Sequence, residues 1–256
     1  MDPRHADLGR FAGDLADLAR GIARRWFRRL DAVDTKADRT PVTPADREIE
    51  HALRARIRAA FPEHGVLGEE EGSERVDAEY VWVLDPIDGT KAFASGNPLF
   101  GTLIGLMHRG EPVVGVLEAP GLGERWSAVR GGGAFHDGRR IAAGAGTALA
   151  DAVLYTTTPD PLAAHEGFAA LRRGVRWTCY GGDCCGYAFV AMGGADLIVD
   201  AGLKPYDWCA LVPILTEAGG VLVDWEGRAL DLCSDGRVVA AGSRDLAEAA
   251  LVVLRG

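Results

Sequence analysis

Leu8, Phe11, Leu15, Leu18, Ile22 and Trp26 recur every three or four positions among acids and arginines. That spacing predicts an amphipathic helix over residues 4–30, with Arg24, Arg25, Arg28 and Arg29 on its solvated face. Residues 34–42 are polar and read as a loop. At Thr43-Pro44-Ala45-Asp46 a second helix begins, with Thr as cap, Pro at the first helical position and an acid in the first turn. Ile49, Leu53 and Ile57 carry its apolar stripe, and Pro62 and Gly65 close it. The run YVWVL (80–84) predicts a buried strand. Further strands are expected at 99–107, 113–117 and 125–129, joined by Arg109-Gly110 and Pro120-Gly121, with turns at 131–133 and 137–138. Short connections between strands point to an antiparallel sheet.

Beyond Gly144 the rhythm changes. Strands expected at 153–157, 175–179, 197–200, 221–225 and 238–241 alternate with helices at 184–192, 207–218 and 245–254, which is α/β alternation. The chain therefore divides into an α+β part, 1–143, and an α/β part, 144–256. Its 256 residues are 48% hydrophobic and 25% charged, a globular and not a disordered composition. The formal net charge of −9 makes nucleic acid and anionic membrane poor partners. No apolar run approaches the roughly 20 residues of a membrane span, and the charged N-terminal stretch has no secretory-signal pattern. The five cysteines include no C-x-x-C pair, so reduced thiols and a cytoplasmic location are expected.

Acids gather beside turn residues in three places: Gly68-Glu69-Glu70-Glu71, Asp85-Pro86-Ile87-Asp88-Gly89-Thr90 and Pro205-Tyr206-Asp207. Each has a plain structural reading as a capped turn, a solvated acidic run or a helix cap, and Asp46 is also explained as a first-turn acid favoured by the helix dipole. The second segment offers more. Asp85 closes the expected strand, Pro86 turns the chain, and Asp88 follows within the same loop. Gly89-Thr90 can bring backbone N–H groups to an anion. Hard oxygen ligands beside anion donors are the parts of a metal-assisted phosphoryl-transfer site. The spacing is not that of an EF-hand.

The order TPAD (43–46), GEE (68–70), WVLDPIDGT (82–90), YD (206–207) and EAGG (217–220) resembles the inositol monophosphatase superfamily from about residue 33 onward. The resemblance implies a layered αβαβα sandwich, commonly homodimeric, that hydrolyses small phosphate esters with two or three Mg²⁺ per site. It implies that Glu69, Asp85 and the Ile87 carbonyl hold one ion, and that Asp85, Asp88 and Asp207 hold a second. Gly89 and Thr90 then donate N–H groups to phosphate, while Thr90, paired with Asp46 and helped by Glu69, activates water. Charge arithmetic agrees. Two unit charges 4 Å apart cost about 4 kcal/mol at an effective dielectric constant near 20. Glu69, Asp85, Asp88 and Asp207 therefore repel or take up protons unless cations fill the site.

The segments SGNPLFGTLIGL (95–106), LGERW (122–126), GGDC (181–184), DAGLKPYD (200–207) and SDGRVVAAG (234–242) are similar to the histidinol-phosphate phosphatase branch. Histidinol phosphate carries an ammonium and an imidazole beside its phosphate, so acids suit its pocket. Asp183 and Asp200 are the candidates, with Lys204 beside them on the substrate side. The only lysines, Lys36, Lys91 and Lys204, fall in or next to the suspected site segments and are expected to border the acids. Inositol monophosphate and an adenosine bisphosphate-type nucleotide are the alternative substrates. A non-catalytic metal-binding regulatory protein is the alternative class.

Overall fold

The computed structural model describes residues 1–30, 33–35, 41–144 and 146–256. Helix α1 (Pro3–Trp26) starts at Asp2, whose side chain accepts the Arg4 N–H at 2.8 Å. It stops short of residue 30 because Arg28 turns left-handed (φ +61°) and its guanidinium donates to the Gly96 carbonyl. A ribbon of β1 (Asp34–Thr35) and β2 (Pro41–Val42) precedes α2 (Pro44–Ala60). Thr43 and Asp46 cap α2 reciprocally, as the TPAD pattern predicts. Lys36 lies outside the described residues.

Eight strands follow: β3 (Gly65–Gly68), β4 (Ser73–Glu74), β5 (Tyr80–Asp88), β6 (Gly101–His108), β7 (Glu111–Ala119), β8 (Glu124–Val129), β9 (Gly133–His136) and β10 (Arg139–Arg140). They form one sheet in the order β10-β9-β8-β7-β6-β5-β3-β4, antiparallel except for the β3–β5 pair. Helix α3 (Thr90–Ser95) leaves the end of β5. The strand does not stop before Pro86 as expected. Proline has no N–H to give β6, so the ladder skips: Asp85 pairs with Leu103 and Asp88 with Gly101 across a bulge.

The remaining chain builds a second sheet from β11 (Val153–Thr156), β12 (Trp177–Tyr180), β13 (Leu197–Asp200), β14 (Val221–Asp224) and β15 (Val238–Ala241), in the order β12-β11-β13-β15-β14. Its helices are α4 (Glu166–Gly174), α5 (Asp183–Ala191), α6 (Pro205–Trp208), α7 (Leu211–Glu217) and α8 (Arg244–Arg255). The single helix expected over 207–218 is two, because Pro213 offers no N–H to the Cys209 carbonyl four residues back.

Period-two alternation along the strands assigns the layers. Trp82, Leu84, Ile104 and Val116 face α1 and α2. Val81, Val83, Leu103 and Leu117 face α5, α6 and α7, which also cover Ile198, Val238 and Ala240 of the second sheet. Leu154, Val199 and Val239 on its far face pack on α4 and α8. The result is the layered αβαβα arrangement expected of the sequence. Among the described residues no helix is long and apolar enough to cross a membrane.

The middle layer approaches the first sheet through a glycine contact. A Cβ at Gly115 of β7 would lie 1.9 Å from the Ala210 carbonyl oxygen. Gly115→Ala is expected to lower unfolding free energy by about 1–3 kcal/mol, the usual cost of overpacking, read as a reduced denaturation midpoint. An unchanged midpoint would refute this close approach.

Candidate active site

The bulge near the end of β5 separates two acids, Asp85 and Asp88, at the C-terminal end of that strand. Asp85 is 1% exposed inside the layer boundary, and Asp88 follows the skipped pair. Thr102 Oγ1 donates to the Pro86 carbonyl at 2.8 Å and fixes the bulge. Asp207 arrives from the middle layer in the first turn of α6, where its Oδ2 accepts the Lys204 N–H at 2.6 Å. Carboxyl oxygens of Asp85, Asp88 and Asp207 all lie within 4.8 Å of one another. Asp85 Oδ1 is buried and has no hydrogen-bond partner.

Burial and mutual repulsion drive these acids toward the neutral form. Asp85 is raised well above the usual carboxylate range, first by desolvation and then by Glu69, Asp88, Asp207 and Asp46. Asp88 is pushed up to about 7 by burial and then Asp207, against hydrogen bonds from Cys184. Asp207 also rises to about 7 by burial, against the Lys204 hydrogen bond and with Glu69 adding to the rise. The Glu69 carboxylate, on the loop after β3, is thus within electrostatic reach of all three. An orphaned buried oxygen amid carboxylates is a poor resting place for protein alone and a good one for a hard divalent cation, whose preferred ligands are oxygens. The donor set fits such an ion.

At the exit of β5, Gly89 takes φ +83° and begins α3. A Cβ there would meet Asp183 Oδ2 at 3.0 Å, so glycine is needed for conformation and for space. Thr90 Oγ1 lies 3.0 Å from the Ile87 carbonyl and 3.5 Å from Asp46 Oδ1. The other Asp46 oxygen accepts the Thr43 N–H and hydroxyl. Burial raises Asp46 above its ordinary value despite those bonds.

Next to the acids, a cavity of about 170 Å³ is lined by Asp88, Asp183, Asp207, Thr157, Thr158 and Tyr187, among others. Asp183 follows Gly181 and Gly182 in left-handed conformation, itself at φ +42°. It is pushed up to about 7 by burial, then Asp88 and Asp200, with Lys91 opposing. The next residue, Cys184, donates its N–H to Asp88 Oδ2.

Asp200 departs from the substrate role expected of it. Its Oδ1 accepts Thr156 Oγ1 (3.0 Å) and Thr157 N–H (2.8 Å). Its Oδ2 accepts Thr157 Oγ1 (3.0 Å) and Tyr187 O–H (2.9 Å). Four donors occupy a carboxylate that is 3% exposed, so it ties the cavity wall together and has no lone pair to spare for an ammonium. Lys204 is exposed and acts on Asp207 through its N–H and its charge. Lys91 borders the cleft with Glu69, Thr90 and Asp183. Thr157, Thr158 and Tyr187 were not foreseen. The threonine run 156–158 at a strand end, and Tyr187 one helical turn after Asp183, were the available signals.

Residues 9–255 match the family model described as the inositol monophosphatase family. The chain belongs to the inositol monophosphatase family. It is 40% identical to the bifunctional phosphatase IMPL2, chloroplastic, of Arabidopsis thaliana, over 96% of this chain and 75% of that one. It is 38% identical to a histidinol-phosphatase of Chlorobaculum parvum over 89% of each. An inositol monophosphatase structure from Zymomonas mobilis superposes with a TM-score of 0.90 at 43% identity, covering 98% of this chain and 99% of that one.

In this family member the acid cluster links folding to pH. Asp88 and Asp207 bind protons up to about pH 7 when folded, against an ordinary value of 3.8. The folded state therefore holds more protons than the unfolded chain between these values. The stability they contribute is complete below the lower value and is lost as pH rises through about 7. In chelator, the melting temperature should fall from about pH 5 to about pH 8. Asp85→Asn should raise it at the upper pH by removing a buried carboxyl that can ionise only against its neighbours' repulsion, and a lower value than wild type there would contradict the repulsion account.

Proposed function

We propose that this phosphatase-family chain is a Mg²⁺-dependent phosphomonoesterase acting on L-histidinol phosphate. The observation that carries the substrate choice is the cavity beside the acid cluster. Asp183 and its neighbours line it, and no Lys, Arg or His does among the described residues. A substrate with an ammonium and an imidazole beside its phosphate complements such a wall, whereas a polyol gains nothing from its charge. The 43% identity with the Zymomonas mobilis inositol monophosphatase favours inositol monophosphate as the second reading.

Asp85, Asp88, Asp207, Glu69 and the Ile87 carbonyl are the groups that would hold Mg²⁺. When bound, such ions polarise phosphate oxygens and lower the pKa of water. The chain's own share is positioning and proton handling. Gly89 and Thr90 leave backbone N–H groups at the turn where phosphate would dock. Thr90 Oγ1 has two acceptors within reach, the Ile87 carbonyl and Asp46 Oδ1. A water aligned by Thr90 can pass its proton through that hydroxyl to Asp46 Oδ1. Burial of Asp46 raises its affinity for the proton and suits it to a base. Asp183 fixes the substrate's cationic end, and Asp200 holds the Thr157 turn and Tyr187 around it.

Phosphate release should require Mg²⁺ and stop in chelator; a rate indifferent to the metal across several phosphomonoesters would favour the non-catalytic class. Histidinol phosphate should exceed inositol 1-phosphate in kcat/KM. Asp183→Asn should cost histidinol phosphate about tenfold or more, the worth of one charge-assisted hydrogen bond, with far less effect on inositol phosphate. Equal losses on the two substrates would remove Asp183 from recognition.

A further inference from the structure

Helix α2 carries Asp46, Glu50 and Arg54 at four-residue spacing, which stacks them on one stripe. All three are fully buried. Asp46 belongs to the water-handling pair. Glu50 and Arg54 have no part in the mechanism above, yet their side-chain hydrogen bonds go to each other, to the loop that carries Glu69 and, from Arg54 Nη1, to Glu74 Oε1 (3.5 Å) on the strand after that loop. Glu50 Oε2 accepts the Glu70 N–H at 2.7 Å, and Oε1 accepts the Glu71 N–H at 2.9 Å. Arg54 Nε donates to Glu50 Oε1 at 2.8 Å, and its Nη2 donates to the Gly72 carbonyl. That carbonyl also accepts the Gly68 N–H at 2.9 Å and closes the loop on itself.

Gly68 lies directly on the pair. A Cβ there would be 2.1 Å from Glu50 Oε1 and 2.7 Å from Arg54 Nη2. On the other side, the Glu69 N–H donates at 3.2 Å to the carbonyl of Leu84, the residue before Asp85. Glu69 is therefore fixed between two supports. One is the buried charged pair, and the other is the strand that bears Asp85. A buried ion pair is a weak source of net stability, because desolvation consumes most of its attraction. Its hydrogen bonds to the loop give it a different use.

We infer that Glu50, held by Arg54, is a positioning residue that sets the reach of Glu69 into the acid cluster and so tunes metal affinity from outside the site. This rests on the reading of Glu69 as a metal ligand. Glu50→Gln keeps the shape but leaves one oxygen for two loop N–H groups and sets an amide N–H against the other.

The test is Mg²⁺ affinity by isothermal titration calorimetry on wild type, Glu50→Gln, Glu69→Gln and the double variant, with Asp85→Asn alongside. Glu50→Gln should weaken Mg²⁺ binding about 10- to 100-fold, the range seen when partners of metal ligands are changed. In the Glu69→Gln background it should add less than about twofold, because residues acting through one another are not additive. An unchanged affinity in Glu50→Gln, or an equal loss in both backgrounds, overturns the inference. The second pattern marks a merely structural role. If Asp85→Asn binds Mg²⁺ as wild type does, the metal site itself fails and the positioning role with it. If Asp85→Asn loses binding while Glu50→Gln does not, only the positioning role fails. Glu50→Asp keeps the charge and both oxygens, and is read through the same cycle should Glu50→Gln not fold. An intermediate loss that vanishes with Glu69→Gln supports the inference, and a loss that persists overturns it.

Discussion

Like charges brought together out of water are the constraint to which the rest of this structure answers. Asp85, Asp88 and Asp207 bring carboxyl oxygens within 4.8 Å of one another, with Glu69 close enough to perturb all three. At such separations each charged pair costs on the order of 4 kcal/mol at an effective dielectric constant of 20. No local turn could hold that arrangement against repulsion. The acids instead sit where two layers meet, one pair anchored in the first sheet and the third in the middle helices. Three apolar clusters, packed through all five layers, keep those elements from separating.

The same logic explains why three of the site's acids take backbone donors from neighbouring turns. Asp207 takes the Lys204 N–H, Asp46 the Thr43 N–H, and Asp88 the N–H of Cys184 across the layer boundary. Main-chain donors aim a carboxylate without adding a side-chain cation that would compete for its charge. The Cys184 bond does more. It joins Asp88 to the residue after Asp183, so the wall of the neighbouring cavity and the acid cluster share one connection. Glu50 plays the corresponding part for the Glu69 loop from α2.

Much of this was legible in the chain. The apolar stripe at 8, 11, 15, 18, 22 and 26 and the unbroken apolar run at 80–84 marked elements that burial then required. The acids of DPIDGT were legible because aspartate, proline and glycine so close together have few structural uses. The bulge was not. Whether Pro86 ends a strand or is carried through it depends on the register of β6, which no local pattern specifies. The split between α6 and α7 followed from Pro213, a signal present but outweighed by an apolar period that runs across it. Short elements such as β3 and β9 were not expected as strands, because four residues carry too little pattern and only their neighbours make them strands. The burial of Glu50 and Arg54 was invisible for a related reason. Charges spaced four apart on a helix usually face water, and only the position of the 68–72 loop turns that stripe inward.

Asp200 shows how an acid in a pocket differs from an acid available to a ligand. Residue type and position alone suggested a counter-ion for an ammonium. Its four donors instead make it a hub, and its charge is spent on Thr156, Thr157 and Tyr187. In the proposed function discrimination falls to Asp183, whose backbone is held at φ +42° behind two left-handed glycines. A non-glycine residue in that region is strained, and such strain persists only where the surroundings enforce it. Here they do: the Cys184 N–H is committed to Asp88, and Gly89 leaves the space into which the Asp183 carboxylate projects. With its pKa near 7, Asp183 is poised between neutral and charged forms. A cationic group beside it draws the charged form out, while a neutral hydroxyl does not. In the proposed function, preference for a cationic substrate rests on this electrostatic response of one side chain beside the hub formed by Asp200.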